Sequence, residues 1–212
     1  YAYAFFHLIA HAFFKAGLFL GSGSVIHSMQ GEQDITKMGG LRKKMPITYI
    51  TFLIYSLAIS GIPLTSGFLS KDGILASAYA FGSLTGNSIF VITGFLVAAL
   101  TAFYMFRIII LTFHGSPKDK HLYEHSHESP KLMTIPLIIL AIGSFFFLFT
   151  YNPFSAESGW LLSKWIYTPS SIRAIDKDVR AERLSAINAE GRSVLLTVIV
   201  RRGDVAVEED EG

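Results

Sequence analysis

LAISGIPLTSGFLSKDGILASAYA, Leu57 to Ala80, is apolar enough to lie in a membrane, yet it cannot run as one unbroken helix. Pro63 has no N–H, and its ring collides with the carbonyl four residues back, that of Ile59. Gly61 and Gly67 flank it, and Thr65 and Ser66 are residue types that cap a new helix start. The stretch predicts two half-helices joined by an unwound linker at membrane depth. Exposed backbone there is tolerated only inside protein or beside water, and broken helices of this kind recur at ion sites in transporters. A plain proline kink is the simpler alternative. Lys71 and Asp72 come just after the break. Sequence neighbours do not share a helix face, so the two are expected to reach different partners.

The surroundings read the same way. A spanning helix takes about 20 mostly apolar residues. Four segments qualify: roughly Tyr1 to Ile26, Pro46 to Ala80, Ser88 to Phe113 and Leu132 to Tyr151. The second is too long for one straight crossing. All are apolar round most of the circumference, as lipid requires, whereas β-barrel strands would be shorter and strictly alternating. The expected fold is all-α, a polytopic transmembrane helix bundle with one discontinuous helix and a short polar C-terminal tail.

Composition agrees. The chain is 51% hydrophobic and only 16% charged, against roughly a quarter charged in a soluble domain. Tyr1 to Ser170 holds 18 charged residues, and the far shorter Ser171 to Gly212 holds 16. The net charge of +2 gives no reason to expect a nucleic-acid partner. Without cysteine, disulfides, thiolate metal sites and thiol nucleophiles are excluded. Tyr1 opens directly into apolar residues without a signal-peptide pattern, so the N-terminus is expected to lie inside a longer membrane protein.

The loops 28–45 and 115–131 carry Lys37, Arg42, Lys43 and Lys44, and Lys118, Lys120 and Lys131; the turn 82–87 carries no charge. Both basic loops are therefore expected on the cytoplasmic or matrix side. Trp160, Lys164 and Trp165 read as an interfacial segment. Beyond Pro169 the chain turns polar, with a short helix plausible over 176–188 and a strand over 193–200. His125, His127 and Glu128 could grip a metal, but a solvated polar loop is the favoured reading.

The first segment, HLIAHAFFKAGLFLGSGSVIH (His7 to His27), places His7, His11 and Lys15 at steps of four. Such steps advance about 40° past a full turn and about 6 Å along the axis, so the three share one face at a spacing bridged by water. Ionisable groups at membrane depth usually face protein or a wet cavity and mark ion pathways. The bland alternatives are a snorkelling lysine and satisfied core histidines.

This stretch, with QDITKMGGLRKKMP, GIPLTSGFLSKDGIL, LTAFYMFRIIILTFHG and HESPKLMTIPLIILA in that order, resembles the later transmembrane helices of the family of NADH–quinone oxidoreductase subunit L, chain 5 of respiratory complex I. The resemblance covers roughly Tyr1 to Pro169; the tail 170–212 resembles nothing in the family and stands unassigned, disordered or foreign. It implies an antiporter-like, proton-translocating subunit of the membrane arm. The lipid bilayer and the other membrane-arm subunits would be its partners. No cofactor is implied in this chain; NAD, flavin, iron–sulfur clusters and quinone would belong to partner subunits, where the redox chemistry occurs. By motif match, Lys15 corresponds to a central-axis lysine, and His7 and His11 to the linking histidines. Lys71 corresponds to the lysine of the second broken helix at the proton exit, with Asp72 beside it. The first repeat and the long lateral helix of the family are absent from this sequence. The competing readings are the large subunit of a cation/proton antiporter or a membrane-bound hydrogenase, and a structural scaffold or non-functional fragment. The expected location is a bacterial plasma membrane or a mitochondrial inner membrane.

Overall fold

The computed structural model describes residues 2–155 together with Gly159, Leu161, Trp165 and Ile166. Residues Tyr1–Tyr167 group into one compact unit. The tail over 170–212, with its expected helix and strand, lies outside the described residues, as do Trp160 and Lys164.

Among the described residues six α-helices follow one another: α1 (Ala2–Ser28), α2 (Pro46–Ser60), α3 (Ser66–Thr85), α4 (Ile89–Phe113), α5 (Lys120–His125) and α6 (Lys131–Gly143). There is no strand among the described residues; Thr65 and Phe145 form an isolated antiparallel bridge. Two helices, α1 at 27 residues and α4 at 25, are long and apolar enough to cross a membrane.

α1 packs against α2, α3 and α6, and α4 packs against α2 and α3. Phe6, Ala10, Phe14, Leu18 and Val25 of α1 are buried, a ridge at helical spacing. α1 runs antiparallel to α2 and α3. A Cβ on Gly73 would meet the Tyr3 ring, and one on Gly17 would meet the Tyr55 ring. Further along, Gly21 faces Phe52, and Ser24 reaches Thr48 at 2.9 Å. The Tyr55 hydroxyl donates to the carbonyl of Leu137, tying α2 to α6.

The chain leaves helix at Ser60 and re-enters it at Ser66. Gly61 adopts a left-handed conformation (φ 79°) and ends α2. The N–H of Gly61 bonds the carbonyl of Ala58, and that of Ile62 bonds the carbonyl of Leu57, which is the Schellman pattern. Thr65 caps α3, its hydroxyl accepting from the N–H of Phe68 at 3.3 Å.

One expectation is corrected. The apolar run Leu132 to Tyr151 is not one helix: α6 stops at Gly143 after 13 residues, about 20 Å. The next carbonyl, that of Ser144, is taken by the N–H and the hydroxyl of Ser66, both at 3.0 Å. The chain past Gly143 pairs with the linker instead of continuing the helix.

The two basic loops lie against each other. Gly40 N–H donates to the carbonyl of His114 at 3.0 Å, and Asp119 N–H donates to that of Lys37 at 3.3 Å. Glu128, considered above as a metal ligand, serves instead as a cap for α2. Its carboxylate accepts from the N–H groups of Ile47 (2.7 Å) and Thr48 (3.3 Å) and from the Thr48 hydroxyl (2.6 Å). Pro46 occupies the first turn, where its missing N–H costs nothing. Glu128→Ala is expected to destabilise the protein by about 1.5–3 kcal/mol, the range for hydrogen bonds to charged groups. Glu128→Gln should cost less. Thermal denaturation of the purified protein in detergent measures both.

Candidate functional site

The site is assembled where the start of α3 meets α1 and the last turn of α2. The N–H that would satisfy Ile59 in a continuous helix belongs to residue 63, which is proline. The Lys71 ammonium takes that place, donating to the Ile59 carbonyl at 2.6 Å. A lysine one and a half turns into α3 thus satisfies the backbone group that the interruption orphans. In hydrocarbon such a group would cost several kcal/mol if left unpaired.

His7 comes to the same place from α1. Its Nδ1 lies 2.8 Å from the hydroxyl of Ser70, a fully buried residue. The Ser70 hydroxyl also lies 3.1 Å and 3.2 Å from the carbonyls of Ser66 and Gly67. It has one proton and several acceptors. It either donates to the backbone and accepts from His7, or rotates and donates to His7. Such a hydroxyl can switch its proton between the two partners by reorientation. His7 and Lys71 both line a cleft of about 320 Å³ between α3 and α4, with Thr93 and Gly94 on its far wall.

The imidazole rings of His7 and His11 are 5.8 Å apart, and His11 meets Phe14 edge-on at 5.2 Å. Lys15 is exposed, its ammonium 5.5 Å from the centre of the Phe19 ring. Burial therefore falls along the series, and the helical phase explains it. Each step of four residues turns about 40°, so the row that starts against α3 at His7 has rotated about 80° by Lys15. Asp72 is exposed while Lys71 is half-buried, as expected of adjacent helical residues. His7 and Lys71 are thus brought to one cleft, with His11 beside His7, and Lys15 and Asp72 face outward from the helices described here.

Two participants were missed in the sequence. Ser70 lies within the motif GIPLTSGFLSKDGIL, which singled out only Lys71 and Asp72. The bond from Lys71 to Ile59 had a signal, since Pro63 orphans that carbonyl and only a donor from elsewhere can serve it. At the loop end, Arg42 lies 3.5 Å from Nδ1 of His114, whose Nε2 is 3.0 Å from the Tyr49 hydroxyl. Because guanidinium only donates, Nδ1 is the acceptor in that contact. Glu32 and Lys37 form an ion pair at 2.7 Å in the first loop. The Lys37 ammonium and the Asp34 N–H hold the Glu32 carboxyl below the usual range. His125 and His127 direct Nδ1 to the carbonyls of His121 and His125.

Comparison with known proteins shows a likeness to a class of antiporter-like membrane subunits. Residues 1–97 match the family described as NADH:quinone oxidoreductase/Mrp antiporter, TM. The particular likeness is to NADH-quinone oxidoreductase subunit L. The chain is 56% identical over 142 residues to that subunit of Rickettsia bellii, and 47% identical over 156 residues to that of Rhodobacter capsulatus. These alignments cover 66% and 68% of this chain and 21% of each relative; the chain spans about a fifth of the length of the curated relatives it matches. F(420)H(2) dehydrogenase subunit L of Methanosarcina mazei is 51% identical over 143 residues, covering 65% of this chain and 21% of that protein. Among solved structures, the archaeal membrane-bound sulfane sulfur reductase matches with a TM-score of 0.62 at 29% identity, over 79% of this chain and 26% of that one. The Mrp complex from Dietzia sp. DQ12-45-1b shares the fold, with a TM-score of 0.56 at 21% identity over 68% of this chain and 33% of that one. The resemblance drawn from the sequence motifs is thereby borne out, and the chain is an integral membrane protein.

Proposed function

We propose that this chain forms part of the proton-translocating subunit L of an NADH–quinone oxidoreductase, with NADH oxidation and quinone reduction carried out by other subunits. The observation that carries the reading is the junction of His7, Ser70 and Lys71 at the backbone interruption. α2, at about 22 Å, is too short to cross the roughly 30 Å hydrocarbon layer. With α3 it forms one interrupted crossing, the discontinuous helix of the family. In this reading Lys71 is the terminal donor and Lys15 the central relay, and His7 and His11 pass protons between them through water. Asp72 stands beside the outlet. The chain itself needs no cofactor for this work.

A second reading is a related complex driven by another electron donor. What supports it is the 51% identity to F(420)H(2) dehydrogenase subunit L, which lies within the 47–56% seen for NADH-quinone oxidoreductase subunits. The two readings share the proton path and differ in company. Purifying the native complex through a tag on the full-length subunit decides between them. NADH-driven quinone reduction with proton uptake in proteoliposomes is the expected result. A tagged complex that is inactive with NADH but turns over with a deazaflavin donor would establish the second reading.

A further inference from the structure

Two interruptions of helical structure meet at the site. One is the linker 61–65, and the other is the chain just past α6. They are joined by two backbone hydrogen bonds and one from a side chain. The Ser144 carbonyl accepts from both the N–H and the hydroxyl of Ser66 at 3.0 Å, and Phe146 N–H donates to the carbonyl of Leu64 at 3.4 Å. Thr65 and Phe145 sit opposite each other as an antiparallel bridge. Leu64 holds a positive φ of 75° without being glycine, a conformation that persists only where surrounding contacts over-determine it. Ser66 and Ser144 are both fully buried.

We infer that this backbone clasp is a positioning element for Lys71, with Ser66 as its central residue. It fixes the first residue of α3, and Lys71 lies five residues further along the same helix. The other end of Lys71's hydrogen bond is Ile59, two residues before the left-handed Gly61. The distance from Nζ to the Ile59 carbonyl is thus set by where the linker lies, and α6 holds the linker there. The geometry gives the end of α6 a role in proton transfer that its own side chains do not indicate, since none of Ser144, Phe145 and Phe146 is titratable. The inference rests on the proton-translocation reading above.

Ser66→Pro tests it in the assembled complex. Proline is accepted at the first position of a helix, and Thr65 already has the extended backbone (φ −107°, ψ 154°) that a following proline demands. The substitution removes both hydrogen bonds from Ser66 to Ser144. Ser66→Ala removes only the hydroxyl's bond and decides the matter if the proline variant does not assemble. Ser144→Ala is the control, because that hydroxyl donates to Leu140 within α6 and takes no part in the clasp.

The readout is protons translocated per electron in proteoliposomes. A defect in assembly lowers electron transfer and pumping together and leaves this ratio unmoved. The expected result is a ratio lowered about threefold to tenfold by Ser66→Pro, the scale of one or two hydrogen bonds. Ser66→Ala should give a smaller fall and Ser144→Ala none. An unchanged ratio in Ser66→Ala and in any assembled Ser66→Pro overturns the inference, as does an equal fall in Ser144→Ala. Lys71→Ala run alongside separates the two levels. If it leaves the ratio intact, the relay reading itself is wrong; if it lowers the ratio while both Ser66 variants do not, only the clasp is wrong.

Discussion

Lys71→Ala, made in the full-length subunit, is expected to lower proton translocation to near background and to destabilise the protein as well. The two effects have separate origins. In the proposed relay, pumping falls because the amine that would take and return a proton at the interruption is gone. Stability falls because the Ile59 carbonyl loses the one donor it has among the described residues: the Lys71 ammonium serves it at 2.6 Å, and Pro63 offers no N–H. An orphaned buried carbonyl costs about 1–3 kcal/mol. Lys71→Gln separates the effects, because an amide can donate to Ile59 yet cannot carry the proton. The expected order is loss of pumping in both variants and loss of thermal stability mainly in Lys71→Ala. Normal pumping in proteoliposomes by either variant would remove Lys71 from the relay.

Much of this arrangement is legible in the sequence, for identifiable reasons. Proline's missing N–H is a local fact, so Pro63 with its flanking glycines marks where helix must stop near 60 and resume near 66. The step of four in His7, His11 and Lys15 is equally local, and it places the three in one row. How far that row turns away from α3 depends on where α3 packs, and no pattern within α1 carries that information. The end of α6 was misjudged for the same kind of reason. Leu132 to Tyr151 is apolar apart from Thr134, Ser144 and Thr150, and an isolated Gly143 within it is only a weak stop signal. The stop is imposed from elsewhere, by Ser66 needing the Ser144 carbonyl. Glu128 shows the converse error. Beside His125 and His127 it looked like part of a polar loop or a metal site, whereas its partners are the unpaired N–H groups at the start of α2, some eighty residues earlier. Contacts between distant segments decided every missed feature, and the residues supplying them are serines, carbonyls and one carboxylate without periodic signature.

Gly67→Ala is expected to be the most disruptive single methyl that the described helices could receive. A Cβ at this position would lie 1.8 Å from the carbonyl oxygen of Ala58 and 2.7 Å from its carbon. Both are backbone atoms of the last turn of α2, so no rotamer change relieves the clash. α3 must retreat by more than 1 Å to restore ordinary contact. That retreat pulls Lys71, one turn further along α3, away from Ile59 and draws Ser66 from Ser144. Overpacking typically costs about 1–3 kcal/mol and occasionally more; the coupled loss of buried hydrogen bonds places this case at or above the upper end. Two other glycines of the chain calibrate the claim. A Cβ on Gly17 would come within 2.2 Å of the Tyr55 ring, a side chain that can shift at the expense of its bond to Leu137, so Gly17→Ala should cost less. Gly23, with nothing within 4 Å, should accept alanine without loss, and helix propensity favours the exchange by roughly 0.5–1 kcal/mol. The thermal midpoints of the three purified variants should therefore rank Gly67→Ala lowest and Gly23→Ala highest. A Gly67→Ala protein that melts and pumps like the parent would mean that α2 and α3 do not touch at Ala58. The Lys71 contact with Ile59, which depends on that approach, would then fall with it.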